Sequence, residues 1–170
     1  WLYLPDSVIN YPVLQHGDND YYLTRQIDGS YNKNGSIFMD YRNASDFSDR
    51  NTIIYGHHMR TGNMFGKLVN FKSDSYYQKH DHMFIMTPQV TCRLELLCGA
   101  VVEPDDPIYS IDPTEEALAA CMRRSTFQTK LDLPGEEARL VTLSTCSYEF
   151  EDARYIVIGV LTPLEETVKN

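Results

Sequence analysis

A succession of short apolar segments of strand length most limits what this chain can fold into. Residues 36–40 and 51–57 are bounded by Gly, Asn and Asp, runs 83–87 and 91–102 look similar, and 139–145 and 155–161 complete the set, the pattern of buried or half-buried strands. Residues 7–15 read as extended, and Pro12 within them suits a sheet edge, where a missing N–H is tolerated. In the 91–102 run, Cys92, Leu94, Leu96, Cys98 and Ala100 alternate and are expected to share one face. Helical periodicity is sparse. Met64, Leu68 and Phe71 recur at helical spacing. Residues 112–124 give the clearest helix, with Asp112 as expected cap, Pro113 in the first turn, Glu115 completing a capping box, and Arg123 and Arg124 at the C-terminal end. Its apolar face is Ala117, Leu118, Cys121 and Met122. Roughly seven or eight strands with few helices predict a mostly β fold, a closed or nearly closed β-barrel.

The length of 170 residues fits one domain with a real core. No linker, repeat or low-complexity tract divides it, so residues 1–170 are expected to form a single domain. The formal net charge of −9, with Lys and Arg scattered rather than striped, argues against nucleic-acid binding and against an anionic membrane surface. No apolar run reaches the length of about 18 residues needed for a transmembrane helix. The chain opens Trp1-Leu2-Tyr3-Leu4-Pro5 without a basic leader, and is read as a trimmed or mature fragment.

The chain holds 4 cysteines, at positions 92, 98, 121 and 146, with no Cys-x-x-Cys pair, so no metal site is expected. Cys92 and Cys98 on one strand would stand roughly 20 Å apart, too far for a bridge. Three structural thiols and one reactive thiol are expected.

Two strand ends carry the chemistry. Thr142-Leu143-Ser144-Thr145-Cys146 is an apolar strand running into hydroxyl residues and then a thiol. A polar, acidic turn follows, and the chain re-enters a strand at Arg154. Paired as a hairpin, these strands set Cys146 and Arg154 at the same end of the sheet, where a cation favours the thiolate and can stabilise an oxyanion. Ile53-Ile54-Tyr55-Gly56-His57-His58 is a second buried strand ending in glycine and imidazole, a source of acid–base catalysis. Cys, His and Arg are a minimal set for acyl transfer through a thioester. Spacing leaves other readings open. A cysteine at a strand end is often inert core, a histidine is often a surface group, and Arg154 can simply balance Glu149, Glu151 and Asp152.

The segment "TLSTC", followed by Arg154 in "ARYIVIGVL", closely resembles the signature of sortases, and "NTIIYGHHM" resembles their histidine motif. "WLYLPDSVINYPVLQ", "DNDYYL", "GSIFMDYRN" and "MFGKL" are similar to class B members of that family, in the same order from residue 1 to about 162. The resemblance implies an eight-stranded sortase-type β-barrel with a few peripheral helices, and a cysteine transpeptidase that cleaves a C-terminal sorting motif after Thr. It implies Cys146 as nucleophile, His57 as general acid and base, and Arg154 as oxyanion or substrate-carbonyl stabiliser. His58 stands where class B members often carry Asn, and is expected to be nearby but non-catalytic. By the same resemblance Ser144, Thr145, Tyr55, Asn19 and Leu23 line the substrate groove. Ser144 and Tyr55 also have a plain structural reading, as a strand-end hydrogen bond and a packing ring.

No cofactor or metal is implied. The partners implied are surface proteins bearing a sorting motif and a cell-wall precursor amine, with no nucleic acid, and with the membrane engaged only through an N-terminal anchor not present in this chain. The place implied is the extracytoplasmic face of a Gram-positive cell membrane. Three alternatives remain: a pilin-polymerising class B enzyme using a lysine nucleophile, a β-barrel cysteine protease, and a non-catalytic peptide-binding domain. A protease of chymotrypsin-like order has His before Cys, as here, but this chain lacks a Gly-rich segment around Cys146.

Overall fold

The computed structural model describes residues 1–164. Eight strands form one sheet: β1 Leu2–Tyr3, β2 Asn10–Tyr11, β3 Phe38–Met39, β4 Asn51–Tyr55, β5 His82–Met86, β6 Thr91–Val102, β7 Leu140–Cys146 and β8 Arg154–Pro163. Their spatial order is β2-β1-β5-β6-β8-β7-β4-β3. Every pairing is antiparallel except β4 with β7. Leu14, just beyond β2, bridges to β3: its N–H donates to Ile37 O at 3.0 Å and its carbonyl accepts from Met39 N at 2.8 Å. That isolated bridge holds the sheet in its curled half-barrel and pairs part of the β3 edge.

The extended stretch expected over residues 7–15 is a strand only at Asn10–Tyr11, at the sheet edge that Pro12 predicted. Helices are peripheral. Leu68–Lys72 is a 3-10 helix, followed by α1 at Asp74–Tyr77. The main helix, α2, spans Glu115–Arg123, and its cap is Thr114 rather than Asp112: Thr114 Oγ1 accepts from Ala117 N at 3.2 Å. Only a side chain directly before the first turn reaches those free N–H groups, so Asp112 lies too early.

Two apolar clusters divide the interior. The larger holds Leu2, Ile54, Phe65, Phe71, Leu94, Leu96, Leu143, Tyr155 and Val157. The second holds Leu97, Cys98, Ala100, Leu118, Cys121, Ile156 and Ile158, and is the seat of α2. The alternation expected along the 91–102 strand breaks here. The β6–β8 register shifts between Leu96 and Cys98. One extra residue exchanges the two faces of a strand. Cys92, Leu94 and Leu96 therefore face the larger cluster, while Cys98 and Ala100 face α2.

Candidate active site

β7 and β8 pair in register from Leu140↔Val160 to Cys146↔Arg154. The thiol residue and the guanidinium residue are thus opposite one another at the last rung of the hairpin. On the other side of β7, the parallel strand β4 runs in step, with Tyr55 opposite Ser144. Gly56 N donates to Ser144 O at 3.1 Å, and Thr145 Oγ1 donates to Gly56 O at 2.7 Å. The end of β4 is therefore pinned to the end of β7, and the next residue, His57, emerges beside Cys146. A Cβ on Gly56 would lie 2.4 Å from Ile37 Cδ1 and 2.7 Å from the Phe65 ring, so glycine is what lets the chain pass here.

His57 Nε2 sits 2.6 Å from Leu23 O. A carbonyl can only accept, so Nε2 carries a proton and Nδ1 is the position free to gain or release one. Leu23 ends a 3-10 helix, Tyr21–Leu23, whose entry is held by Asp18 Oδ1 accepting from Asp20 N and Tyr21 N, both at 2.8 Å. Gly35, at φ +59, passes so close that a Cβ would lie 2.5 Å from Leu23 O. His58 takes a different post: its Nδ1 is 3.0 Å from Cys146 O, and its ring lies 5.2 Å from that of Tyr148.

Arg154 Nη1 donates to Asp152 O at 2.7 Å and Ala153 O at 3.2 Å. Its Nε and Nη2 have no partner among the described residues. The acidic residues of the turn do not neutralise it. Glu149 instead pairs with Lys72 and accepts from Ser147. Burial alone would raise the Glu149 carboxyl, but the Lys72 and Ser147 contacts outweigh it and hold it at about 2. Lys72 Nζ also donates to Ser147 Oγ at 2.8 Å, and it stands 5.1 Å from the centre of the Tyr155 ring. The residue after the thiol is thus tied down by a lysine from the 3-10 helix Leu68–Lys72.

A groove of about 540 Å³ joins these residues. Cys146, His57, Arg154, Ser144, Thr145, Tyr55, Asn19 and Leu23 all line it, so every site residue expected from sequence meets in one place. Cys146 is half-buried, while Cys92, Cys98 and Cys121 are buried, as expected of one accessible thiol among four. The Thr145 hydroxyl is committed to Gly56, which leaves it a structural part in the wall.

Residues 38, 40–42, 104 and 109 also line the groove, and sequence reasoning had not assigned them to it. The main one is Asp40, wholly buried. It accepts from Tyr55 Oη at 2.8 Å, Asn19 Nδ2 at 3.1 Å, and Arg42 Nε and Nη2 at 2.8 and 2.9 Å. Burial pushes its carboxyl up, but these donors outweigh that and hold it down at about 2. The same carboxylate, after burial, keeps the Tyr55 hydroxyl well above its ordinary range. A lone acid after the apolar run 37–39 was the available signal. Tyr109 Oη lies 2.7 Å from Ser144 Oγ, and burial raises Tyr109 to about 12, so both hydroxyls are neutral hydrogen-bonding groups at the groove floor.

Among the described residues no cluster of His, Cys, Asp and Glu is placed to hold a metal, and no helix is long and apolar enough to cross a membrane. The groove thus holds a half-buried thiol, an imidazole and a guanidinium whose Nε and Nη2 have no partner among the described residues, a set of groups suited to nucleophilic chemistry.

Comparison with known proteins points the same way. The sortase-domain family model matches residues 2–162. Sortase B of Listeria monocytogenes is 34% identical, covering 95% of this chain and 68% of that protein. The Staphylococcus aureus sortase B–substrate complex superposes with a TM-score of 0.90 at 28% identity, covering 97% of this chain and 79% of that one. A Streptococcus pyogenes class B sortase involved in pilus biogenesis gives 0.85 at 32% identity, covering 95% and 90%.

Proposed function

The chain belongs to the sortase family and is a cysteine transpeptidase of the class B type, and on that footing we propose that Cys146 is its nucleophile, His57 its general acid and base, and Arg154 its oxyanion stabiliser. The observation that carries this assignment is the Cys146↔Arg154 rung, flanked on the parallel strand by His57 at the mouth of one groove.

The Cys146 sulfur, its proton passed to His57, attacks the carbonyl carbon of a threonine in a bound sorting motif. Charge builds on the carbonyl oxygen, where the unoccupied Nε–H and Nη2–H groups of Arg154 donate to it. The carbon–nitrogen bond breaks, the leaving amine takes a proton from His57, and a thioester remains on Cys146. An acceptor amine then attacks the thioester, and His57 takes its proton and returns it to the departing Cys146 sulfur. Positioning of that amine ahead of water makes the product an amide rather than an acid. Leu23 O keeps the proton on His57 Nε2, so transfers run through Nδ1.

The enzyme acts on surface proteins carrying a sorting motif, in association with the cell envelope of a Gram-positive bacterium. We place it at the extracytoplasmic face, with an amine of a cell-wall precursor as acceptor. A lysine on a pilin is the second reading, favoured by the similarity to the pilus-associated S. pyogenes enzyme. Peptides bearing candidate sorting motifs, incubated with an amine acceptor and followed by mass spectrometry beside Cys146→Ala, test the assignment. An amine-joined product lost in the variant is expected. Cleavage that persists in Cys146→Ala refutes the nucleophile, and preference for a lysine side chain over a precursor amine selects pilus assembly.

A further inference from the structure

Cys98 and Cys121 take no part in the reaction above, yet their sulfurs lie 3.6 Å apart. Cys98 is on β6 just past the register shift that turns it toward α2, and Cys121 is on the inner face of α2. Both side chains are wholly buried. A disulfide needs the two sulfurs at about 2.05 Å, and this pair, already in contact, must draw closer to bond.

We propose that Cys98 and Cys121 are a redox pair that closes into a disulfide stapling α2 to β6, with a small-molecule disulfide or the disulfide of a thiol oxidase as oxidant. One cysteine, as thiolate, attacks a sulfur of the oxidant and releases one thiol. The second cysteine then displaces the other, so the protein gains one sulfur–sulfur bond and loses two S–H bonds. The oxidant's sulfur–sulfur bond breaks, and it leaves as two thiols carrying both protons and both electrons.

The ring so closed has a functional content. Residues 98–121 include Pro104 and Tyr109 of the groove wall. The wall is already linked to α2 at one point, where Arg124 Nη2 meets Asp106 Oδ2 at 2.9 Å. A bond between positions 98 and 121 therefore fixes both ends of the segment that presents Tyr109 to Ser144. Cell-envelope proteins work where disulfides persist. The hydrogen bond with Cys121 and burial both raise the Cys98 thiol well above its ordinary value. Exchange with the folded protein is consequently slow, and the bond forms as α2 docks during folding.

The test uses the whole chain, unfolded with reductant and refolded in a mixture of glutathione and glutathione disulfide. Expected are two alkylatable thiols instead of four after denaturation, a Cys98–Cys121 peptide in a non-reducing digest, and a Tm higher by roughly 5 °C or more that reductant reverses. Hydrogen exchange across residues 103–124 slows in the oxidised form. Cys121→Ala retains neither the cross-link nor the Tm rise. Four free thiols after refolding, or a bridge involving Cys92 or Cys146, overturns the proposal, as does a bridge that leaves Tm unchanged. None of these readouts depends on catalysis, so they stand apart from the assignment of Cys146, His57 and Arg154.

Discussion

His58 Nδ1 lies 3.0 Å from the carbonyl oxygen of Cys146, so the second imidazole of the pair is bound to the backbone of the thiol residue. His57, which lines the groove, is held instead by Leu23 O through Nε2. Adjacent histidines thus have separate posts, one against Leu23 in the groove wall and one fastening the strand end.

His57→Ala is expected to lower kcat/KM for transpeptidation by about 100-fold to 10,000-fold, the usual contribution of general acid–base catalysis. His58→Ala loses one backbone hydrogen bond, and its kcat/KM should stay within about tenfold, with a stability loss of about 1 kcal/mol. Steady-state kinetics on a sorting-motif peptide and thermal melts check both. A larger defect in the His58 variant than in the His57 variant reverses the two posts.

For Arg154, the guanidinium fork matters more than charge alone. Arg154→Ala should reduce kcat by about 100-fold to 1,000-fold with little change in peptide KM, the pattern of an interaction made in the transition state. Arg154→Lys should recover part of this, because a single ammonium cannot hold the Asp152 and Ala153 carbonyls and an oxyanion together. A variant whose loss lies wholly in KM would place Arg154 in ground-state binding.

Asp40 predicts an acid-sensitive groove. Its carboxyl is held at about 2 in the folded protein against an ordinary value of 3.8. The folded value is depressed, so its contribution is complete above about pH 4 and is lost as pH falls toward 2. The difference is worth about 2 kcal/mol. Asp40→Asn should remove that acid dependence in denaturant titrations between pH 2 and 5. It should also destabilise the protein at pH 7 by about 3 kcal/mol, since Arg42 and Tyr55 lose their shared acceptor. An unchanged acid profile in this variant would move the dependence elsewhere.

Gly56→Ala sets a methyl against Ile37 and Phe65 at separations no side chain tolerates. Destabilisation by about 1–3 kcal/mol is expected. Loss of activity should exceed what the fraction unfolded explains, because the strain falls on the residue that aims His57. Equilibrium unfolding and kinetics on the folded fraction separate the two effects.

Local pattern carried most of the strands, though not β1, and the juxtaposition of Cys146 with Arg154 followed once the apolar run, acidic turn and second run paired as a hairpin. The residues that resemblance assigned to a groove, from Asn19 to Ser144, line one pocket in the structure. Asp40 did not declare itself, since Arg42 is a near neighbour in sequence but the donors Asn19 and Tyr55 arrive from separate stretches of chain. The Thr114 cap was missed because Asp112 and Thr114 both suit a helix start, and only the path of the backbone chooses between them.

The sequence by itself determined the β-rich class, the strand ends that carry thiol, imidazole and guanidinium, and the family, because each rests on short local motifs whose order along the chain is read directly. Tertiary structure alone decided which way Cys98 points, which partner Asp40 meets, and that Cys98 and Cys121 touch. Those outcomes rest on a one-residue register shift and on contacts between distant segments, and no local propensity encodes either.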